Sequence, residues 1–232
     1  MTYPRAVTSP KADVRVVCFD LGGVLVRICR SWDQACEQIG LPYRSPGLIA
    51  TDAWRLRRKS VVDRYQLGGL SAAAYREELS LALEGLYSPA EVERIHDAWT
   101  LKEYPGALAL VQQLNQLPGV TTACLSNTNA AHWRRLANED GSAEYPSVLE
   151  LQQRFASHLL GCAKPDAEIY ARAQAAFFAE RAGTPEQILF FDDLPENVQA
   201  ARAQGWSAFQ VDHEGDTVSQ MRAQLARAGL PL

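Results

Sequence analysis

Asp20, Ser126, Lys164 and the pair Asp192-Asp193 are the residues of this chain whose types and placement could do chemistry. Asp20 ends an apolar, β-branched run at 14–19, and Gly22 and Gly23 follow it within three residues. Such a run reads as a buried strand, and the glycines leave room beside its terminal carboxylate. Ser126-Asn127 ends a second apolar run at 120–125, and Asp192-Asp193 ends a third at 188–191. In an open parallel sheet, ligands bind outside the carboxyl ends of the strands, so these polar tips converge on one edge. A nucleophilic carboxylate, a hydroxyl, a lysine and extra carboxylates suit phosphoryl transfer through an aspartyl-phosphate. Asp20 must attack a dianion, so charge has to be neutralised. A hard divalent cation, Mg²⁺, takes oxygen ligands, and Asp20 and Asp193 supply two of them. Lys164 adds a point charge, and Ser126 donates a hydrogen bond to a phosphoryl oxygen. Each feature also has a structural reading: a strand closed by an Asp-x-Gly-Gly turn, helix caps at 126–127 and 192–193, a solvated loop lysine. All of them falling at successive strand ends favours the site.

The elements that must position these residues follow a simple order. After the first strand, 31–102 reads as helical with no convincing strand. Trp32, Ala35, Cys36 and Ile39 share one helix face, a helix covers 52–66, Ser71 caps one running to 83, and Ser88-Pro89 opens another towards 99. From Tyr104-Pro105-Gly106 onward helices and strands alternate: helix 107–116, strand 120–125, a helix from about 130, a weaker strand at 155–160, helix 166–182, strand 188–191, helix 194–204, strand 206–211 and a last helix. That alternation predicts an α/β fold, a Rossmann-like parallel sheet flanked by helices with right-handed crossovers. The core comprises 1–30 and 105–232, and an inserted α-helical cap comprises 31–104. Residues 1–12 form a loose lead-in.

With 232 residues and 47% hydrophobic content, the chain can bury a sizeable core. No run approaches the roughly 18 apolar residues of a membrane helix, and no signal-peptide core is visible. A net charge of −4 leaves no electrostatic footprint for nucleic acid. Five cysteines, odd in number and without a CxxC pair, indicate neither a disulfide framework nor a zinc site, and a reducing cytoplasm is the expected compartment.

Four segments together resemble the haloacid dehalogenase (HAD) superfamily, in particular its Mg²⁺-dependent phosphatases with a helical cap. Phe19-Asp20-Leu21-Gly22-Gly23-Val24-Leu25 resembles the first motif, Leu125-Ser126-Asn127-Thr128-Asn129 the second, Lys164-Pro165 the third, and the 190–197 segment, Phe-Phe-Asp-Asp-Leu-Pro-Glu-Asn, the fourth. Each is weak alone, but all four in order are specific. Within the superfamily the chain looks closest to sugar-phosphate phosphatases related to bacterial α-glucose-1-phosphatase, and to the epoxide-hydrolase N-terminal phosphatase. The resemblance implies that Asp20 is nucleophile and metal ligand, that the Gly22 carbonyl and Asp193 complete the protein's ligands, and that Asp192 binds the metal directly or through water. Ser126 and Lys164 would hold the phosphoryl group, with Asn127 shaping the loop around it. The implied activity is hydrolysis of a small phosphorylated molecule.

One position departs from the pattern. Family phosphatases usually carry a second Asp two residues after the nucleophile as general acid, and here that position is Gly22. Such help is worth roughly 10²–10⁴-fold in rate, so a good leaving group, water or a cap residue would have to compensate. Two rivals follow. A 2-haloacid dehalogenase uses the same Asp without metal, although it has no need of both Asp192 and Asp193. A fold that lost turnover with its acid would bind a phosphometabolite without hydrolysing it. Among the remaining residues, His132 reads as a packed or surface histidine, Arg55, Arg57, Arg58 and Lys59 as a solvated helix face, and Trp54 and Tyr65 as cap packing. The Trp99 and Tyr104 region reads as a hinge.

Overall fold

A strand whose two faces are both apolar must be covered on both sides, and that requirement organises the fold. The computed structural model describes residues 13–44, 52–230 and 232, with no account of side chains at 52–55. The expected lead-in and the side chains of Trp54 and Arg55 therefore lie outside the described residues. The chain runs β1 (Val16–Phe19), β2 (Val26–Ile28), α1 (Trp32–Gln38), α2 (Asp52–Gln66), α3 (Ala72–Ala82), α4 (Pro89–Asp97) and β3 (Thr100–Glu103). It continues through α5 (Ala107–Asn115), β4 (Thr121–Ser126), α6 (Ala130–Leu136), α7 (Pro146–Leu149), β5 (Gln153–Ala156), α8 (Ser157–Leu160) and α9 (Ala167–Phe177). It closes with β6 (Ile188–Asp192), α10 (Pro195–Ala203), β7 (Ser207–Gln210) and α11 (Thr217–Arg227).

Five strands form a parallel sheet in the order β5-β4-β1-β6-β7. The period of two along each strand sorts side chains to opposite faces. Val17, Phe19, Cys124, Leu189 and Phe191 pack with α5, α6 and α11 through residues such as Leu110, Trp133 and Met221. Val16, Cys18, Ala123, Leu125, Ile188 and Phe190 pack with α9 and α10 through Ile169, Tyr170, Ala173 and Val198. Among the described residues this is the α/β, Rossmann-like arrangement that the alternation predicts.

A separate apolar cluster joins the four helices between β2 and β3: Cys36, Val61, Tyr65, Tyr75, Leu79, Tyr87 and Ile95 are buried in it. Its helices start where side chains can satisfy free N–H groups. The Ser71 hydroxyl accepts from Ala74 N, and Ser88 with Glu91 forms a capping box behind Pro89 at the first turn. Three elements differ from expectation. The 100–103 stretch is a strand, paired antiparallel with β2. The strand expected at 155–160 runs from Gln153 to Ala156, and the chain then turns into α8. The helix expected at 166–182 ends at Phe177.

Candidate active site

Phe19 of β1 stands opposite Phe191 of β6 in register, so Asp20 and Asp192 follow side by side at the carboxyl edge. The Asp20 N–H donates to Phe191 O at 2.7 Å, which continues the ladder by one residue and holds the turn. Cys18 and Phe190 face the α9–α10 layer, and one further alternation aims both carboxylates to that same side. There Lys164 enters from the loop before α9, its ammonium 5.4 Å from the Phe190 ring centre. Lys164 Nζ lies 3.0 Å from Asp20 Oδ1 and donates to Asp192 Oδ2 at 2.6 Å. Asn127 sets the lysine's position: its Nδ2 donates to Lys164 O at 2.7 Å, and Lys164 N donates to Asn127 Oδ1 at 2.8 Å. The loops after β4 and before α9 are thereby clamped together.

Asp192 is fully buried, and both its oxygens are engaged. Asn197 Nδ2 donates to Oδ1 and Oδ2 at 3.0 and 3.1 Å, and Leu194 N donates to Oδ1 at 2.9 Å. Asp20 Oδ1 is different. Buried, it has Lys164 Nζ at 3.0 Å as its one partner among the described residues. Burial pushes the Asp20 carboxyl up to about 7 against the pull of Lys164, with Asp192 and Asp193 adding to the rise. Burial works against the Lys164 charge too, yet Asp192 and Asp20 on either side hold the ammonium above its ordinary value. Carboxylate oxygens of Asp20, Asp192 and Asp193 lie within 4.8 Å of one another. Three buried carboxylates answered by buried Lys164 and by one partly exposed arginine, Arg30, leave negative charge in excess, and an all-oxygen donor set suits a hard divalent cation. The residues fit Mg²⁺.

Sequence reasoning missed Arg30. It stands between β2 and α1, and its Nη1 donates to Asp193 Oδ2 at 2.6 Å. His213 Nδ1 lies 4.0 Å from that same oxygen, and Tyr104 donates from its hydroxyl to His213 O at 2.8 Å. Gly23 makes the Arg30 contact possible. At φ +84°, a Cβ there would stand 2.3 Å from the Arg30 guanidinium and 2.6 Å from Asp193 Oδ2. Nothing local in the sequence pairs Arg30 with a residue so distant along the chain. Asn197, by contrast, was within reach of inference, since it sits in the first turn of the helix that follows Asp192.

Ser126 and Asn127 also line a cavity of about 320 Å³, together with Gly22 and residues of the four inserted helices. Trp32, Val62, Tyr65, Tyr75 and Trp99 supply much of its wall. Tyr65 therefore packs against Tyr75, ring centres 4.2 Å apart, and also faces the cavity. Of the basic stretch on α2, Arg58 and Lys59 reach the cavity, whereas Arg57 pairs with Glu84. His132 is buried and stacks on His96 with ring centres 3.9 Å apart. His132 Nε2 donates to His96 O at 2.8 Å, and Asn129 Nδ2 serves His96 Nε2 at 3.1 Å and His132 Nδ1 at 3.3 Å. Burial holds both imidazoles below their usual range, that of His132 down to about 4.

No helix among the described residues is long and apolar enough to cross a membrane. Solved structures share the fold. A magnesium complex of the HAD family enzyme BT-2542 from Bacteroides thetaiotaomicron is 20% identical with a TM-score of 0.70, covering 90% of this chain and 99% of that one. A predicted HAD-like hydrolase from Porphyromonas gingivalis is 23% identical with a TM-score of 0.68, covering 93% and 99%. An L-2-haloacid dehalogenase from Xanthobacter autotrophicus with chloropropionic acid covalently bound is 19% identical with a TM-score of 0.57, covering 94% and 85%. No curated protein matches the chain. The haloacid dehalogenase-like hydrolase family model matches residues 14–205, the span that carries Asp20, Ser126, Lys164 and Asp192-Asp193, and the chain belongs to that family.

Proposed function

We propose that this hydrolase is a Mg²⁺-dependent phosphatase that cleaves a small phosphomonoester through an aspartyl-phosphate. The observation that carries the reading is the cluster of Asp20, Asp192 and Asp193, whose carboxylate oxygens lie within 4.8 Å of one another around Lys164. Mg²⁺ on Asp20 and Asp193, with the Gly22 carbonyl, would neutralise phosphate charge and keep Asp20 ionised. Asp20 is the nucleophile: its carboxylate attacks phosphorus, and water later cleaves the acyl-phosphate to release inorganic phosphate. Lys164 and Ser126 hold the phosphoryl oxygens, and Asn127 positions Lys164 through its paired backbone bonds. Asp192, tied to Lys164, Asn197 and the Leu194 N–H, orients the lysine and would help hold the metal directly or through water. Residues 31–104 act as a cap over a core of 1–30 and 105–232, excluding water and selecting the leaving group. The BT-2542 enzyme was crystallised with magnesium and inorganic phosphate together, which is in keeping with this assignment.

The test is phosphate release from a panel of monophosphates with Mg²⁺, with EDTA and with Asp20→Asn. Turnover requiring both Mg²⁺ and Asp20 is expected. Halide release from 2-haloacids that persists in EDTA would instead establish a dehalogenase. Tight binding without turnover across the panel would establish a binding protein.

A further inference from the structure

The cavity beside Ser126 has an aromatic and aliphatic wall where the inserted helices meet it. Its wall is built from Ile28, Trp32, Val62, Tyr65, Tyr75 and Trp99, with the flat, neutral imidazoles of His96 and His132 beside them. Among its described lining residues there is no carboxyl group. Apolar character reaches the nucleophile's own turn: a Cβ on Gly22 would stand 3.0 Å from Ile28 Cδ1, so a methyl group occupies the space where a side chain at 22 would begin. The volume of about 320 Å³ is near the lower end of ligand sites. It is about twice the roughly 150 Å³ that suffices for a benzene ring.

Gln66, Thr100, Thr128 and Asn129 also line the cavity and set polar groups beside this wall. Among the polar groups at the cavity, the Tyr65 hydroxyl is buried and has no acceptor for its proton among the described residues. The backbone N–H nearest the Tyr65 hydroxyl, that of Ala131, already donates to Asn129 Oδ1 at 3.1 Å. Tyr65 is 2% exposed, and its hydroxyl is placed to donate to a ligand atom in the cavity. Burial raises the Tyr65 phenol, which keeps it a neutral donor rather than a ready acid. Arg58 and Lys59 lie on the α2 side of the cavity, and Lys59 is mostly exposed and paired with Asp63.

We infer that the substrate is an aryl phosphomonoester, the phosphate ester of a phenol-like hydroxyl, whose ring fills this cavity and offers an acceptor atom to the Tyr65 hydroxyl. The inference rests on the phosphatase reading above and narrows it, replacing the sugar phosphate that the sequence resemblance suggests. Two independent features meet in it. An aromatic ring gains from burial against the Tyr, Trp and imidazole faces. A phenol-like oxygen also leaves as a stabilised anion, with a conjugate acid near 10 as in tyrosine, so it needs little protonation. Asp20 attacks phosphorus, the P–O bond to the ring breaks, and its electron pair departs on the aryloxide. Water then attacks the acyl-phosphate phosphorus, and the proton it releases balances the aryloxide. The net change is aryl phosphate plus water to phenol plus inorganic phosphate.

The closing experiment compares phenyl phosphate, glucose 1-phosphate and acetyl phosphate with Mg²⁺, and measures binding of phenylphosphonate against methylphosphonate by calorimetry. Glucose 1-phosphate also has a good leaving group, so the comparison isolates the pocket. Expected are a kcat/KM at least about 10²-fold higher for phenyl phosphate than for glucose 1-phosphate, and phenylphosphonate binding at least about tenfold tighter than methylphosphonate. Val62→Glu should raise the KM for phenyl phosphate about tenfold, and Tyr65→Phe should lower the preference for ring-substituted acceptors. Equal or better turnover of glucose 1-phosphate would overturn the inference while leaving the phosphatase intact. No Mg²⁺-dependent release from any of the three, acetyl phosphate included, would sink the phosphatase reading. The phosphonate pair then still judges the pocket, because equal affinities would refute it and a tenfold gap would uphold it. The same wild-type comparison decides if either variant fails to fold.

Discussion

The two sides of Asp20 solve opposite problems. On the sheet side stand Lys164, Asp192, Asp193 and Arg30, a set of ions that hold one another within 2.6–3.0 Å. On the side of the inserted helices stand aromatic and aliphatic side chains, two neutral imidazoles and a few polar groups such as Gln66 and Thr100. A phosphate dianion can be received only by charge, and buried charge survives only in company. A leaving group with little charge gains more from the removal of water than from ions. The ionic side is built from loops that the parallel sheet aligns, whereas the apolar side is built from the inserted helices. On the proposed function, chemistry and selection fall to different parts of the chain, and each can be broken separately.

The largest break falls on the ionic side. Asp20→Asn keeps the shape and removes the nucleophile, so Mg²⁺-dependent turnover should fall about 10³-fold or more. Undiminished activity would refute the mechanism. Next is Lys164→Met, which leaves Asp20 and Asp192 facing each other without their shared cation. Denaturant unfolding in EDTA should show a loss of about 3–5 kcal/mol, partly recovered by Mg²⁺. A variant as stable as the wild type without metal would mean that the lysine is not what holds the carboxylates.

On the neutral side, the test is acid. His132 titrates near 6.5 when unfolded and is pushed down to about 4 in the fold, by burial above all. Between those values the unfolded chain takes up the proton first. The stability contribution is therefore complete above pH 6.5 and is lost as pH falls towards 4, on the order of 3 kcal/mol for this group, with His96 acting in the same direction. Comparing unfolding at pH 7.5 and 4.5 for wild type and His132→Asn should show a smaller acid loss in the variant, and identical losses would refute the buried neutral pair. The smallest effect is expected where the two sides meet. Arg30→Gln frees Asp193 from a partly exposed cation, and Mg²⁺ affinity measured by calorimetry should rise a few-fold, about 1 kcal/mol. Weaker binding would instead make Arg30 a support for the metal site.

Much of this was legible because burial on both faces writes itself plainly. The strands at 16–19, 121–126 and 188–192 are central, so they read as continuous apolar runs, and the polar residues that end them stand out. The caps at Ser71 and Ser88 were readable for a local reason, since a hydroxyl satisfies N–H groups two or three residues on. The 100–103 strand was not. It belongs to a two-stranded ribbon whose partner, β2, lies across four helices in sequence, and Lys102 faces solvent. The β5 strand was displaced in the sequence reading because it is an edge strand with exposed Arg154, so its pattern is half polar. The family assignment covers the α/β fold read from the alternation. The roles given to Asp20, Ser126, Lys164 and the carboxylate pair remain proposals, which the Asp20 and Lys164 variants test.

The sequence by itself determined the strands that carry the carboxylates, the order of the four motifs and the absence of an acid side chain at 22, because each depends on residue type and short spacing. Only the tertiary structure decided that Asn127 clamps Lys164, that Asn197 occupies Asp192, that Arg30 reaches Asp193 over Gly23, and that Ile28 and the aromatic wall border the same cavity as Gly22 and Ser126. Those are contacts between residues far apart along the chain. Their existence depends on how strands register and helices pack, which no local pattern of residue types encodes.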